Sequence, residues 1–462
     1  MIDETVRSRL REILPAQALL EGDELASRPA GFMRPDTVRA SLLVRPGSTD
    51  ELAAVLRTCH AHRQPVVVHG GLTGLVHGAD TTPAELVIST ERMRLIEEID
   101  PGQRVAVVQA GVTLQALQEA ADAKGLAFPL DLGARGSATL GGNASTNAGG
   151  NRVVRYGMTR DMILGLEAVL ADGTVVSSMN RLIKNNAGYD LKQLFIGSEG
   201  TLGVITRLVL RLREKPARQD VALVAVPGFE ELAALLKHMD RTLGGSLSAF
   251  EAMWPEFYEL VTAPPAKGRP PLAHGHPLYA LIESSGGEGP GEADRFEAAF
   301  EQAMAQGLVV DAAIAQSQAE AAAIWALRDD VLQCRRYGPT FTYDISLPIA
   351  SMPGYLDTVR PAIAQRFPGN RTWVFGHLGD GNLHLVICAG DASPQARADT
   401  EAIVYPPLGA VGGSVSAEHG IGVEKRDWLG VSRTPEEIAL MRSLKRCLDP
   451  LGILSPGRIF PL

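Results

Sequence analysis

Two glycine-dense stretches, PVVVHGGLTGLVHGA from Pro65 to Ala79 and GSATLGGNASTNAGGNRVVRYG from Gly136 to Gly157, decide how the first part of this chain reads. Glycine tolerates positive φ and lets backbone N–H groups approach a ligand, so clusters of it make anion-binding nests suited to phosphate. A cofactor carrying a pyrophosphate is the natural occupant. Neither stretch ends in GKS or GKT as a P-loop would, and neither has the GxGxxG turn of a nicotinamide site, so ATP and NAD are set aside. One such cluster reads equally well as a mobile loop or tight turn. Two of them, the first on an apolar strand and both interleaved with Ser, Thr and Asn donors, favour the phosphate site.

Around these stretches the pattern is mixed. SLLVRPGS and RVAVVQAG are strand-like, whereas TDELAAVLRTCHAHR and TLQALQEAADAKG are helix-like, the latter capped by Thr113 and stopped by Gly125. Residues 1–35 read as a short helix and loop that precede this α+β unit of 36–216. A second α+β region, 217–410, opens with VALVAV and GFEELAALLKHMDRT and continues through LYALIES, a helix from Glu292 and the helical AEAAAIWALRDDVLQCRRYG. Its simplest packing is an antiparallel sheet covered by helices on one face. The Pro/Gly-rich run from Ala263 to Pro277 reads as a surface loop, and 411–462 as a C-terminal segment.

Composition narrows the function. The 462 residues are 45% hydrophobic and 21% charged with a formal net charge of −9, and no Lys/Arg run appears, which excludes nucleic acid as a partner. The four cysteines, Cys59, Cys334, Cys388 and Cys447, form no CxxC pair and read as isolated thiols. No apolar run reaches the roughly 18 residues of a membrane span. The charged, amphipathic start MIDETVRSRLREIL lacks the apolar core of a signal peptide. A cytoplasmic protein is expected, with peripheral attachment to a respiratory membrane still open. Nothing in the pattern excludes a homodimer.

The glycine stretches carry a family resemblance. The first resembles the phosphate loop of the vanillyl-alcohol oxidase and p-cresol methylhydroxylase type of FAD domain, and the second its LGGxxxxNAGG segment. LKQLFIGSEGTLGVIT, Leu191 to Thr206, and LSPGRIF, Leu454 to Phe460, also match. The resemblance implies a two-lobed FAD-binding domain over 36–216, a substrate cap over 217–410 and a last segment returning to the flavin. It places His69, Gly70, Gly71, Leu72, Thr73, Gly74 and Leu75 of the first stretch at FAD. From the second it adds Ser137, Thr139, Gly141, Gly142, Asn143, Thr146, Asn147, Gly149, Gly150, Tyr156 and Gly157, and from the third Glu199, Gly200, Gly203 and Ile205. His69 stands where arginine is commoner, and His77 where glycine is. Thr73 occupies the position at which covalently flavinylated relatives carry histidine. Dissociable FAD is expected, with two nearby histidines leaving a covalent bond open.

Ten histidines are present, and three of them sit in FGHLGDGNLHLVI, around His377 and His384, and SAEHGIGVEKR, around Glu418 and His419. WVFGH and LHLVI read as a hairpin with GDGN as its turn, making His377 and His384 cross-strand neighbours with Cβ atoms on the order of 5 Å apart. Two imidazoles and a carboxylate hold a divalent ion with positions left for substrate. Neighbouring Glu418 and His419 point to opposite faces if extended, so one can ligate while the other moves a proton. The alternative is that each histidine only satisfies a hydrogen bond.

These strings are similar to those of the D-2-hydroxyglutarate dehydrogenase, D-lactate dehydrogenase and glycolate oxidase flavoprotein branch. That similarity implies zinc or a similar divalent ion on His377, His384 and Glu418, with His419 as general base and Arg328 as the clamp on a substrate carboxylate. Asn382, Lys425 and Tyr343 are expected at the substrate, although a packed core tyrosine is an equal reading of the last, and Trp325 is expected in the core. Leu332 and Thr342 replace a threonine and a lysine of the 2-hydroxyglutarate enzymes. Lactate or glycolate therefore competes as substrate unless Arg335, Arg336 or Lys425 compensates. The implied reaction is FAD-dependent, metal-assisted oxidation of a D-2-hydroxy acid to the 2-keto acid by hydride transfer to flavin N5. Electrons would then pass to an electron-transfer flavoprotein, quinone or cytochrome. A glycolate-oxidase-type subunit of a larger complex and an alkylglycerone-phosphate-synthase-like transferase are the alternatives.

Overall fold

The apolar run PVVVHGG forms the strand Val66–His69, which pairs in parallel with Leu86–Ser89. Parallel strands need apolar cover, and the helix Thr49–Ala61 supplies it by packing Leu52, Val55 and Leu56 against Val66, Leu86 and Ile88. The computed structural model describes residues 2–461 except 33, 288 and 290, and the chain divides into two units. This pair belongs to unit 1, which comprises residues 1–150, 157–215 and 418–462.

Unit 1 carries two main sheets. One has four strands in the order Leu19–Leu20, Leu43–Val44, Leu86–Ser89, Val66–His69. The other has five antiparallel strands, in the order Ile96–Asp100, Val105–Gln109, Val204–Arg211, Ile163–Val169, Val175–Ser178. The helix Leu114–Asp122 starts at the expected cap, Thr113, whose side chain accepts from Ala116 N at 3.3 Å. The first helix, Glu4–Ile13, does not precede the unit as the sequence suggested. Its apolar face, Val6 and Leu10, is buried in the same cluster as Leu52 and Ile88, because an amphipathic stripe must be covered. The chain end returns to the same place: Val66 N donates to Ile453 O and Ser455 N to Val66 O, each at 2.8 Å.

Unit 2 comprises residues 151–156 and 216–417. Its seven-stranded antiparallel sheet runs Asp311–Ile314, Arg218–Val226, Leu278–Gly286, Leu247–Met253, Arg371–His377, Asn382–Cys388, Phe341–Ser346. Helices Pro255–Thr262 and Gln318–Asp329 share one apolar cluster with Val221, Leu223, Leu281 and Phe375. Helix cover on one face was expected, yet every residue from Val221 to Val226 is buried. Helices Phe229–Leu243 and Glu292–Ala305 cover the second face. An unbroken apolar run such as VALVAV is the mark of a strand buried on both sides. The excursion 151–156 docks on this sheet through Arg152, whose Nε donates to Glu283 Oε1 at 2.8 Å, and Arg155, whose Nη1 donates to Ser246 O at 3.0 Å.

Candidate active site

WVFGH and LHLVI form the expected hairpin strands, joined by a 3₁₀ turn at Leu378–Asp380 and by Gly381 at φ 81°. The register differs from a direct His377–His384 pair: His384 lies opposite Phe375. The tighter turn shifts the pairing by two residues, and because side chains alternate with period two both histidines still share a face. Their ring centroids are 5.3 Å apart, with the planes at 82°.

On the other side of the hairpin, His377 is the register partner of Glu251, and its Nδ1 lies 2.6 Å from Glu251 Oε1. A nitrogen facing a carboxylate carries the proton, so in the neutral ring Nε2 holds the lone pair, as metal-binding histidines require. Arg328 Nη2 stands 3.3 Å from that Nε2, while Arg328 Nε donates to Glu251 Oε2 at 2.7 Å. The guanidinium also lies over the Phe375 ring, 4.9 Å from its centroid. Burial alone would raise the Glu251 pKa; His377 and Arg328 outweigh it and bring the carboxyl down to about 2, so it is ionised. Arg328, only 6% exposed in the last turn of its helix, is buried and paired and not a solvated helix arginine.

Sequence reasoning missed Glu251, Glu283 and the alignment of Asp344. A signal existed: a lone carboxylate in an apolar strand, as in LSAFEAM, LYALIES and FTYDIS, is buried only when paired. Glu283 accepts from Arg152 Nη2 at 3.0 Å, Ser248 Oγ at 2.7 Å and Trp325 Nε1 at 3.0 Å, so Trp325 is a hydrogen-bond donor as well as packing. Asp344 is the register partner of His384, with 3.9 Å between Oδ1 and Nδ1. Asn382 directs its amide to Asp344 Oδ1 and to Ile345 O, each at 2.9 Å, which commits its N–H donors to the sheet. Tyr343 turns to the opposite side of its strand. It is 1% exposed, its hydroxyl bonds Thr400, and its ring meets Tyr405 edge-on at 5.5 Å, so it is a core residue. Leu332 and Thr342 are both exposed, as are Arg335 and Arg336, and Arg336 Nη2 donates to Leu260 O at 3.2 Å.

In unit 1, Glu418 and His419 begin a turn that is stitched to the glycine stretches. Glu199 accepts from Ile421 N and Gly422 N through its two carboxylate oxygens, each at 2.7 Å. Both oxygens of Glu199, a residue expected at the cofactor, hold this turn from a left-handed backbone at φ 52°. Burial raises its pKa against the two N–H groups and the charge of Lys425, which is itself 2% exposed. Val423 N donates to Val76 O at 3.0 Å. A Cβ on Gly149 would stand 2.7 Å from Glu418 Oε1, so glycine lets that carboxylate approach the backbone closely.

The two glycine stretches touch. A Cβ on Gly71 would lie 1.9 Å from Ser137 O, one on Gly70 2.7 Å from Thr139 Oγ1, and one on Gly141 2.6 Å from Ala110 Cβ. These glycines serve backbone packing, whereas Gly74 faces open space between Thr73 and Leu75, and Leu72 adopts a left-handed φ of 56°. Thr139 caps the helix Leu140–Thr146 by accepting from Gly142 N, and Thr146 Oγ1 donates back to Gly142 O. Asn147, expected at the cofactor, bonds Arg160 N at 2.9 Å and Met158 Sδ at 3.5 Å through its side chain. Gly150, Gly157 and Gly200 occupy positive φ, Gly203 packs on the Phe195 ring, and Ile205 is buried in its strand. Tyr156 falls in the excursion to unit 2, under the Arg155 guanidinium. His69 is locked: its ring bonds Ala79 O at 2.8 Å, and burial pushes its pKa down to about 4. Asn143, 4% exposed, has no acceptor for Nδ2 among the described residues. A buried donor without a partner in the second glycine stretch fits a phosphate- and carbonyl-rich cofactor.

Residues 215–459 match the family described as FAD linked oxidases, C-terminal domain, and residues 40–178 match the family described as FAD binding domain. The chain belongs to the FAD-linked oxidases. This FAD-linked oxidase is 41% identical to a mitochondrial D-2-hydroxyglutarate dehydrogenase of Bos taurus, over 100% of the chain and 84% of that protein. It is 39% identical to a D-2-hydroxyglutarate dehydrogenase of Xanthomonas citri pv. viticola, over 98% and 96%. Among solved structures, p-cresol methylhydroxylase with substrate bound superposes with a TM-score of 0.77 at 14% identity, covering 99% of this chain and 97% of that one. The fold is therefore the α+β p-cresol methylhydroxylase type, and the protein is an FAD-dependent oxidoreductase. Among the described residues no helix is long and apolar enough to cross a membrane.

Proposed function

We propose that this FAD-linked oxidase oxidises a D-2-hydroxy acid to the 2-keto acid with the help of a divalent metal ion, zinc being the best match to its donors. The observation that carries the reading is the wall of unit 2 on which two imidazoles, one aimed by a buried carboxylate, stand beside a buried arginine. Relatives named D-2-hydroxyglutarate dehydrogenase, matched over nearly the whole chain, support the substrate class. Bound FAD supplies a hydride acceptor at N5, and the ion a Lewis acid that lowers the hydroxyl pKa.

The rest falls to the chain. His377 and His384 hold the ion, with Glu418 as third ligand; only three residues lie between Glu418 and Ser414, which pairs with Ser346. Arg328 binds the substrate carboxylate through the Nη edge that Glu251 leaves to it. His419 takes the hydroxyl proton as hydride leaves the α-carbon, and the residues around the site keep both groups oriented. The open Gly74 region and Asn143 take up the cofactor, which is dissociable because Thr73 stands where covalently flavinylated relatives carry histidine and the His69 ring is committed to Ala79 O. Exposed Leu332 and Thr342 give a five-carbon diacid no second charged grip, which lets short acids such as lactate compete. Reoxidation falls to an acceptor of the electron-transfer flavoprotein, quinone or cytochrome class.

Anaerobic flavin bleaching tests the reading. The yellow protein should bleach with one or more D-2-hydroxy acids of a D/L panel including 2-hydroxyglutarate, lactate and glycolate. A chelator should abolish bleaching, and zinc restore it. Bleaching by none of these acids, or full activity in protein shown to be metal-free, would overturn it.

A further inference from the structure

Glu251 has three features that set it apart from an ordinary buried carboxylate. It is fully buried at the centre of the sheet, it uses one oxygen on His377 Nδ1 and the other on Arg328 Nε, and those partners come from separate elements, a strand and a helix end. Its near twin shows the contrast. Glu283 is two register positions away on the adjoining strand and equally buried, yet its donors are Arg152, Ser248, Gln219 and Trp325, none of them a proposed ligand.

We infer that Glu251 is a positioning residue that sets the metal-ligating face of His377 and the carboxylate-binding face of Arg328 as one rigid piece. The inference rests on the functional reading above. Its physical basis is the donor count. A carboxylate has only acceptors, so it receives N–H from both partners at once. By accepting from Nδ1–H it places the lone pair on Nε2, and by accepting from Nε–H it turns the Nη edge of Arg328 toward the Nε2 side of His377. A carboxamide cannot do both. Glutamine facing His377 with its carbonyl presents N–H₂ to the Arg328 Nε–H, and turned the other way it presents N–H₂ to His377 Nδ1, which moves the imidazole proton to Nε2. One of the two partners is then lost.

The test uses full-length, FAD-loaded protein stripped of metal, with zinc ion as the probe. Wild type, Glu251→Gln, Glu251→Ala and Glu283→Gln are titrated with zinc against a chromogenic chelator. KM and kcat for the bleaching acid are then measured at saturating zinc. Histidine-labelled, metal-free protein gives the His377 tautomer from long-range ¹H–¹⁵N spectra. Wild type should show His377 as the Nδ1–H tautomer, and Glu251→Ala should lose that signature and bind zinc about 10- to 100-fold more weakly. Glu251→Gln should lose either zinc affinity or substrate affinity, the second appearing as a KM rise of about tenfold or more with a smaller change in kcat. Glu283→Gln should lower thermal stability and leave the tautomer and zinc affinity unchanged. If folded Glu251→Gln and Glu251→Ala keep the wild-type tautomer, zinc affinity and KM, the inference is wrong. If wild type binds no zinc while the tautomer and KM respond as stated, the metal reading fails and the role of Glu251 stands.

Discussion

Unit 2 carries His377 and His384 on adjacent strands whose backbone groups are satisfied inside the sheet, and the carboxylate behind them, Glu251, receives side-chain donors. Unit 1 carries Glu418 and His419 on an irregular turn, and the carboxylate behind that turn, Glu199, receives backbone donors. Both glutamates are internal, but they do different work. A glutamate behind side chains sets tautomer and direction, whereas one behind backbone N–H groups replaces the ladder that a turn lacks. In the proposed reading, two of the three ion ligands, His377 and His384, ride on the stiffer support. The third, Glu418, and the proposed base His419 depend on the backbone-held turn.

The sharpest way to break that contrast is His419→Ala. If the turn exists to present a base, the rate of flavin reduction in stopped flow should fall by about 10²- to 10⁴-fold with substrate affinity nearly unchanged. Metal content must be followed alongside, since Glu418 is adjacent. A wild-type rate with metal retained would move proton removal elsewhere.

A smaller effect is expected at Glu199. Glu199→Ala leaves Ile421 N and Gly422 N without their acceptor, a cost of about 1–3 kcal/mol for each buried group. Melting should shift down by several degrees, and flavin reduction should slow on the order of tenfold as His419 loses its placement. Glu199→Gln, which keeps one acceptor, should fall between. A reduction rate unchanged by Glu199→Ala would show that the turn holds its shape without the carboxylate.

The mildest consequence concerns His69, deep in the first glycine stretch. Its folded pKa of about 4 lies below the ordinary 6.5, so the unfolded chain binds more protons across that window. Stability from the neutral ring is full above pH 6.5 and is lost as pH falls toward 4, by about 3 kcal/mol in all. Urea midpoints measured from pH 7 to 4 should show this slope in wild type and a flatter one in His69→Gln, whose amide can still donate to Ala79 O. Equal slopes would show that His69 is not the group responsible.

How much of this was legible beforehand follows the range of the interactions. The hairpin strings, the Thr113 cap and the glycine stretches all announce themselves within a dozen residues, since local period and turn chemistry are written in neighbouring side chains. Arg328 was legible only through resemblance, because a helix arginine looks the same whether its partner is water or a buried glutamate. For Tyr343 and Asn147 the complementary reason holds: their polar atoms are claimed by Thr400 and by the 158–160 segment, which no local pattern reveals.

By itself, then, the sequence determined which donors exist and on which strands and turns they ride, and enough glycine to let two loops meet backbone to backbone. Tertiary structure alone decided that His384 faces Phe375 and Asp344, that Glu251 lies behind His377 and Arg328, and that the GSEG glutamate clamps a turn more than two hundred residues away. Register and packing are settled by the summed burial of many distant residues, and a buried charge takes whichever partner that packing brings within reach.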